Sequence, residues 1–79
     1  MSEGLLDYGS GRYKLIGRSG QDDYSFHAGD MLEVWMQRQW VSLRIEADLE
    51  GRWYFVDAQG TIVSVQLGMT ARRRPSSIT

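Results

Sequence analysis

Residues 29–57, GDMLEVWMQRQWVSLRIEADLEGRWYFVD, decide the fold of this chain and hold all three of its tryptophans. Aliphatic residues recur at every second position through Met31–Met36 and again through Gln39–Ala47, which is the period-two pattern of β-strands. Residues 52–57 continue the pattern after a turn that ends in Gly51. The stretch therefore predicts three consecutive strands, and it places apolar side chains on both faces of their sheet.

A turn at Gln37-Arg38 would join the first two strands into a hairpin whose register both faces support. On one face this pairing brings together the aliphatic side chains, namely Leu32, Val34, Val41, Leu43 and Ile45. On the other face it sets Trp35 opposite Trp40 and Met31 opposite Arg44. A slip by one residue would break both sets, because successive side chains point to opposite faces. Gln-Arg lacks the Gly or Asn that tight hairpin turns favour, so a four-residue loop with the same register is an open alternative.

The third strand, residues 52–57, has two possible registers. If Ala47 pairs with Arg52, then Trp53 and Phe55 fall on the face that carries the tryptophan pair. If the strand slips by one residue, the same two side chains enter the aliphatic core instead. Whether Trp53 belongs to a surface site therefore depends on this register.

The rest of the chain supplies further short strands, separated by turns that contain glycine. Strands are predicted at Arg12–Gly17 and at residues 24–26 and 61–67, the last with inward side chains at Val63, Val65 and Leu67. Short strands at this spacing, with no helical period longer than one turn, favour a small barrel or sandwich. The sequence therefore predicts an all-β fold, a small SH3-like barrel of five to six antiparallel strands.

The same pattern divides the chain into one domain and two flanking segments. The barrel domain is expected over residues 12–71. Residues 1–11 contain few apolar anchors, so we expect a flexible N-terminal arm with one turn of helix at residues 3–7. Residues 72–79, RRRPSSIT, lose the apolar pattern and are expected to form a disordered basic tail.

Length and composition exclude several classes of protein. A chain of 79 residues has room for one domain with a thin core. No stretch approaches the roughly 20 apolar residues of a membrane helix, so we expect no membrane partner and a cytoplasmic location. The chain has no cysteine, so neither a disulfide nor a thiolate ligand can stabilise it. Oligomerisation is therefore one route to added stability.

Catalytic and metal-binding chemistry has little support in the residues. The chain has one histidine, His27, and no cysteine. Asp30 lies close to His27 in sequence, yet no serine stands in a nucleophile-elbow context, and a single histidine with scattered carboxylates lacks metal-ligand spacing. We therefore expect no catalytic residue, no metal and no cofactor, and a protein that is not an enzyme.

The tryptophan pair points to binding. Tryptophan, methionine and arginine are enriched at the centres of protein interfaces, and the hairpin register brings together Trp35, Trp40, Met31 and Arg44. Trp53 joins them in the first of its two registers. The predicted partner is another protein or a second copy of the chain. The structural alternative is that the barrel curls over the tryptophans, or that residues 1–11 cover them, and that they form a second core.

Single-stranded nucleic acid is the alternative partner. Small barrels stack bases on exposed aromatic rings beside a basic groove, a role open to the tryptophans together with Arg38, Arg44 and Arg52. Residues 72–74 hold three of the nine basic residues, so the remainder has six basic against ten acidic residues. Polyanions bind largely through charge, and this balance favours a protein partner.

A spaced motif runs through the three strands and carries a family resemblance. Its residues are Gly29-Asp30, Leu32-Glu33-Val34, Trp40-Val41, Arg44-Ile45-Glu46, Asp48, Gly51 and Trp53-Tyr54. The motif resembles the core of a family of small bacterial β-domains of unknown function, often encoded on mobile elements, and the resemblance covers about residues 11–67. The resemblance implies a β-barrel in a plasmid or phage setting, with no established activity. It also implies an accessory or inhibitory binding role, which small proteins of mobile elements often have.

A second likeness lies in the segment Ser64-Val65-Gln66-Leu67. It resembles the pore-lining VQIY segment of plasmid-borne SH3-like dihydrofolate reductases. Gly68 stands where those enzymes have tyrosine, and no matching pore lysine is evident. The resemblance implies reductase activity as a remote alternative.

Overall fold

The computed structural model describes residues 3–17 and 23–73, and the regular structure in these ranges is all β-strand. The strands are β1 (Glu3–Gly9), β2 (Arg12–Gly17), β3 (Tyr24–Ser25), β4 (Met31–Met36), β5 (Gln39–Ala47), β6 (Trp53–Val56), β7 (Ile62–Val63) and β8 (Thr70–Arg73). They form one antiparallel sheet in the order β3-β2-β1-β8-β4-β5-β6-β7. The all-β prediction is confirmed, with eight strands in place of the five to six expected.

The sheet is open between β3 and β7, but it curls until strands far apart in the order meet across one core. The rings of Tyr13 on β2 and Phe55 on β6 lie 5.0 Å apart. The buried residues of this core are Leu6, Leu15, Phe26, Leu32, Val34, Leu43, Ile45, Phe55 and Ala71. Burial of apolar side chains is the dominant favourable term in folding. We call the sheet face that carries them the inner face and the opposite one the outer face.

The β4–β5 hairpin has the register that the sequence predicts. Trp35 lies opposite Trp40, and Met31 lies opposite Arg44. The aliphatic pairs alternate with these residues and face the core. Both faces match only in this register, which is why a local pattern was enough to determine it.

The turn of that hairpin contains only Gln37 and Arg38, so the longer loop is excluded. Both residues have positive φ, 54° and 65°, as the two central residues of a type I′ turn do. A left-handed conformation is disfavoured for residues with a Cβ by roughly 1–2 kcal/mol each. The β1–β2 turn, Ser10-Gly11, has the same length but carries glycine at its second position, with φ 81°. The β4–β5 turn therefore holds more backbone strain.

Strand β6 takes the second of its two registers. Ala47 pairs with Trp53 and Ile45 with Phe55, so both aromatic residues face inward. The first register is wrong for a physical reason. The observed register buries Phe55, which has no polar atom, and leaves the hydroxyl of Tyr54 on the outer face, where it does not lose its hydrogen bonds to water.

Strand β1 replaces the flexible arm that we expected at residues 1–11. It pairs with β2 from Gly4 to Gly9 and with β8 from Glu3 to Leu5, and Leu6 is only 1% exposed. The expected helical turn at residues 3–7 is wrong, because the backbone of these residues is extended and pairs with β2 and β8. Gly4 is required at its position, since a Cβ there would overlap the carbonyl oxygen of Ile16. Residues 1–2 lie outside the described residues.

Strand β8 replaces the first part of the expected disordered tail. Arg72 and Arg73 belong to this strand, which lies between β1 and β4. Its buried Ala71 pairs with Gly4 on one side and with Val34 on the other. The tail prediction is therefore wrong for these two arginines, because strand pairing orders them: Arg72 pairs with both β1 and β4, and Arg73 pairs with β4. The remaining tail residues, 74–79, lie outside the described part of the chain.

The strand expected at residues 61–67 is reduced to β7, Ile62–Val63. Val63 and Val65 contact the core, as expected. Leu67 is exposed, so its inward placement is wrong. The chain turns at Gly68, whose N–H donates a 2.8 Å hydrogen bond to the carbonyl oxygen of Leu6. This turn brings β8 into the sheet.

Candidate outer-face binding site

The outer face carries a row of side chains that crosses five strands. Leu5 on β1 lies opposite Ile16 on β2 and Thr70 on β8. Trp35 on β4 lies opposite Trp40 on β5, and the β4–β8 register continues to place Trp35 beside Thr70. We call these five residues the outer row. Leu5 is 52% exposed and Trp35 is 44% exposed. The outer row is therefore open to solvent at both residues and does not form a second core. Nor do residues 3–9 cover it, because they form β1.

The two tryptophans of the outer row contact each other edge to face. Their ring centroids are 5.2 Å apart and their planes are inclined by 69°, an arrangement that aromatic pairs favour. The guanidinium of Arg72 lies 4.0 Å from the centroid of the Trp40 ring, a cation–π contact. Trp40 is half-buried as a result, and Trp35 is the exposed member of the pair.

A row of charged side chains lies next to the outer row. Arg72 Nε donates a 2.6 Å hydrogen bond to Glu33 Oε1, and the two side chains are only 24% and 18% exposed. Such a partly shielded, charge-assisted contact is stronger than an exposed surface ion pair. The Ser42 hydroxyl lies 3.5 Å from Glu33 Oε2. Glu33 thereby fixes Arg72 in position over Trp40.

Met31 and Arg44 also lie on the outer face, but about 13 Å along the strands from the tryptophan pair. Arg44 Nε donates a hydrogen bond to Glu46 Oε2. Both residues line an open cavity of about 330 Å³, together with Val56 and the turn at residues 57–60. Four of the five predicted site residues therefore share one face, in two groups and not in one cluster.

Trp53, the fifth predicted site residue, lies on the inner face. It is half-buried against the core, and its Nε1 donates a 3.0 Å hydrogen bond to the carbonyl oxygen of Gly11. The contact ties β6 to the turn between β1 and β2. Its placement beside Trp35 and Trp40 is therefore wrong, and the register of β6 is the reason.

The arginines considered for phosphate contact are not assembled in one groove. Arg52 is bound in the β5–β6 turn, 3.0 Å from Asp48 Oδ2 and 2.6 Å from Glu50 Oε1. Backbone N–H donation, from Arg52 first, lowers the pKa of Asp48 below its usual value. Arg44 pairs with Glu46. Only Arg38 among the three considered forms no ion pair with another described residue.

The lone histidine lies in a polar cluster that closes the loop between β3 and β4. Asp30 Oδ2 accepts 2.8 Å hydrogen bonds from the Tyr24 hydroxyl and from the backbone N–H of His27. Burial of the phenol and, next, its bond to Asp30 raise the pKa of Tyr24, while Arg73, 3.8 Å over its ring, acts in the opposite direction. Across residues 3–17 and 23–73, no three His, Asp or Glu side chains group as metal ligands. The hydrogen bonds of Asp30 stabilise the loop between β3 and β4.

Residues 64–67, the segment that resembles a reductase pore strand, do not form a strand. The backbone N–H of Gln66 lies 3.2 Å from Met69 Sδ. Gly68 follows with φ 88° and reverses the chain toward β8. The extended geometry on which that likeness rests is absent from this segment.

Leu5 and Arg72 belong to the outer face, although the sequence did not predict them there. Leu5 and Leu6 are adjacent and both apolar, so the local sequence does not show which of the two faces outward. For Arg72 no local signal exists, because its partners Glu33 and Trp40 lie far away in sequence. Both omissions follow from the missed pairing of β1 with β8.

The comparisons with known proteins give a family and no function. The described residues contain no helix with the length and apolarity needed to cross a bilayer. No curated protein and no solved structure matches the chain. A family model described as a domain of unknown function, DUF5348, matches residues 4–72, a range that begins in β1 and ends in β8. This agrees with the resemblance to an uncharacterised family of small domains, and the chain therefore belongs to the DUF5348 family.

Proposed function

We propose that this domain is a non-enzymatic binding module that contacts another protein through the outer row. The observation that carries the proposal is the exposure of Trp35 and Leu5 on the face opposite a complete core. An exposed apolar patch on a small protein often marks a binding surface. Tryptophan is also among the residues that contribute most to the free energy of binding at protein interfaces.

The outer row has a rigid base, which supports this role. Strands β1, β8 and β4 each lie between two neighbouring strands. Trp40 is held between Trp35 and Arg72. Side chains that are already ordered lose little conformational entropy when a partner binds. The row is thus suited to a contact that does not require rearrangement of the domain.

The charge of the outer face favours a protein over nucleic acid. The strands carry equal numbers of acidic and basic residues at outward positions: Glu3, Asp7, Glu33 and Glu46, and Arg12, Lys14, Arg44 and Arg72. Two of these arginines are already engaged by carboxylates of the same chain. Binding to a polyanion depends on excess positive charge, so single-stranded nucleic acid is the weaker proposal.

The partner is proposed to be a separate protein or a second copy of the chain. On what we propose to be an SH3-like scaffold in the cytoplasm, this contact would suit an accessory or inhibitory protein of a mobile element. That setting comes from the family resemblance alone. Reductase activity gains no support from residues 64–67, which are not a strand.

The test compares three forms of the protein as bait in affinity capture from the native host: wild type, Trp35→Ala and Leu49→Ala. Leu49 is a matched control, because it is fully exposed in the β5–β6 turn, away from the outer row. Titration calorimetry with the purified captured protein then measures affinity, and light scattering measures self-association. We expect Trp35→Ala to weaken the interaction about tenfold or more, as loss of an interface tryptophan does, and Leu49→Ala to leave it unchanged. Equal affinity of Trp35→Ala and wild type for the captured protein would contradict the proposal. So would a wild-type protein that is monomeric and captures no partner.

A further inference from the structure

We infer that the Gln37-Arg38 turn is part of the binding surface and that Arg38 contacts a carboxylate of the partner protein. The inference rests on the proposed function and gives the chemistry of its partner: an apolar segment flanked by an acidic residue. The apolar part would lie on Trp35, and the carboxylate would meet the guanidinium of Arg38.

The backbone of the Gln37-Arg38 turn is strained. Positive φ is confined to glycine in the described residues apart from Ser10, Gln37 and Arg38. Two consecutive residues with a Cβ in this conformation are unfavourable, and Asn-Gly is the usual solution for this turn type. Strained residues outside glycine cluster at ligand-binding sites, where the side chain serves the ligand. The turn thus has Gln and Arg at positions where Asn-Gly would give a more stable hairpin.

The Gln37-Arg38 turn lies close to the tryptophan pair. Trp35 and Trp40 face each other, the pair Met36 and Gln39 follows, and the turn comes next. Two residues along a strand span about 7 Å. A peptide that contacts the exposed ring of Trp35 therefore passes within reach of the Arg38 side chain.

Arg38 differs from three other arginines of the chain in its contacts with carboxylates. Arg44, Arg52 and Arg72 each contact a carboxylate of this chain. Arg38 is exposed and forms no ion pair with another described residue. A guanidinium presents a planar fork that binds a carboxylate through two parallel hydrogen bonds. A phosphate can accept the same pair of hydrogen bonds. The outer face, however, has no excess of positive charge, on which binding of a polyanion depends.

The experiment separates the strain from the charge. Gln37→Asn relieves part of the strain and keeps Arg38, whereas the double variant Gln37→Asn/Arg38→Gly relieves the strain and removes the guanidinium. Ser10→Asn makes the matching change in the β1–β2 turn and is the control. We expect the double variant to raise Tm by about 4–8 °C, with a smaller rise for Gln37→Asn.

The probe is a phage-displayed library of short random peptides, selected on the full-length wild-type protein. Affinities of the recovered peptides are then measured on every variant and on Trp35→Ala. We expect peptides with an acidic residue beside apolar ones. We expect the double variant to bind them about tenfold more weakly or worse, because it lacks a charge-assisted contact. Gln37→Asn and Ser10→Asn should bind them as wild type does.

Two failures are distinguishable. If Trp35→Ala abolishes binding while the double variant binds as wild type does, the turn is not part of the surface and the inference is overturned. Peptides that lack acidic residues, or a double variant with an unchanged or lower Tm, would overturn it as well. If the library yields no peptide whose binding depends on Trp35, the proposed function itself fails.

Discussion

The inner and outer faces of the sheet are built from the same strands, yet their side chains make different kinds of contact. Leu6 and Leu5 are neighbours on β1, and they are 1% and 52% exposed. Inward side chains contact residues from strands far apart in the sheet, as Tyr13 and Phe55 do. In residues 3–17 and 23–73, the outward contacts of the outer row join nearby strands, as in the tryptophan pair. The inner face therefore determines the fold, and the outer face is left available for binding.

The largest expected difference between the faces is the one between the two leucines of β1. Leu6→Ala removes a fully buried side chain and should lower the free energy of unfolding by about 2–5 kcal/mol. Leu5→Ala, the same change one residue away, should alter it by only about 0.5 kcal/mol. Urea unfolding followed by circular dichroism measures both values. Similar losses for the two variants would mean that the outer face is covered.

Replacement of Gly4, in the same strand, is expected to lower the free energy of unfolding by less than Leu6→Ala does. Gly4→Ala places a Cβ against the carbonyl oxygen of Ile16, so β1 and β2 must move apart. We expect a loss of about 1–3 kcal/mol, as for other overpacked positions. Gly9→Ala is the control, because its Cβ would meet only the flexible end of Lys14. Thermal unfolding compares the two, and an unperturbed Gly4→Ala would contradict the close pairing of β1 with β2.

The parts of the fold that could be predicted are those whose pairing is local. The β4–β5 hairpin connects neighbouring residues, so alternation alone determined which residues face each other. The pairing of β8 with β1 and β4 is not local. Residues 70–73, TARR, contain only Ala71 as an inward apolar side chain, and nothing in that short segment indicates that Gly4 and Val34 lie on either side of it.

The candidate site divides in the same way. Trp35, Trp40, Met31 and Arg44 were predicted on one face because they belong to one hairpin. Leu5 and Arg72 were missed because they reach this face only through β1 and β8. The sequence allows two registers for β6, and the observed one places Trp53 on the inner face, away from the tryptophan pair.

The stability of Trp35→Ala tests the central claim most directly, because it asks whether the outer row belongs to the core. Urea unfolding monitored by circular dichroism should show a free energy of unfolding within about 1 kcal/mol of wild type, as for a surface position. The same variant should associate with its partner about tenfold more weakly than wild type, or worse. A loss of about 3–5 kcal/mol, as for a buried tryptophan, would contradict the account.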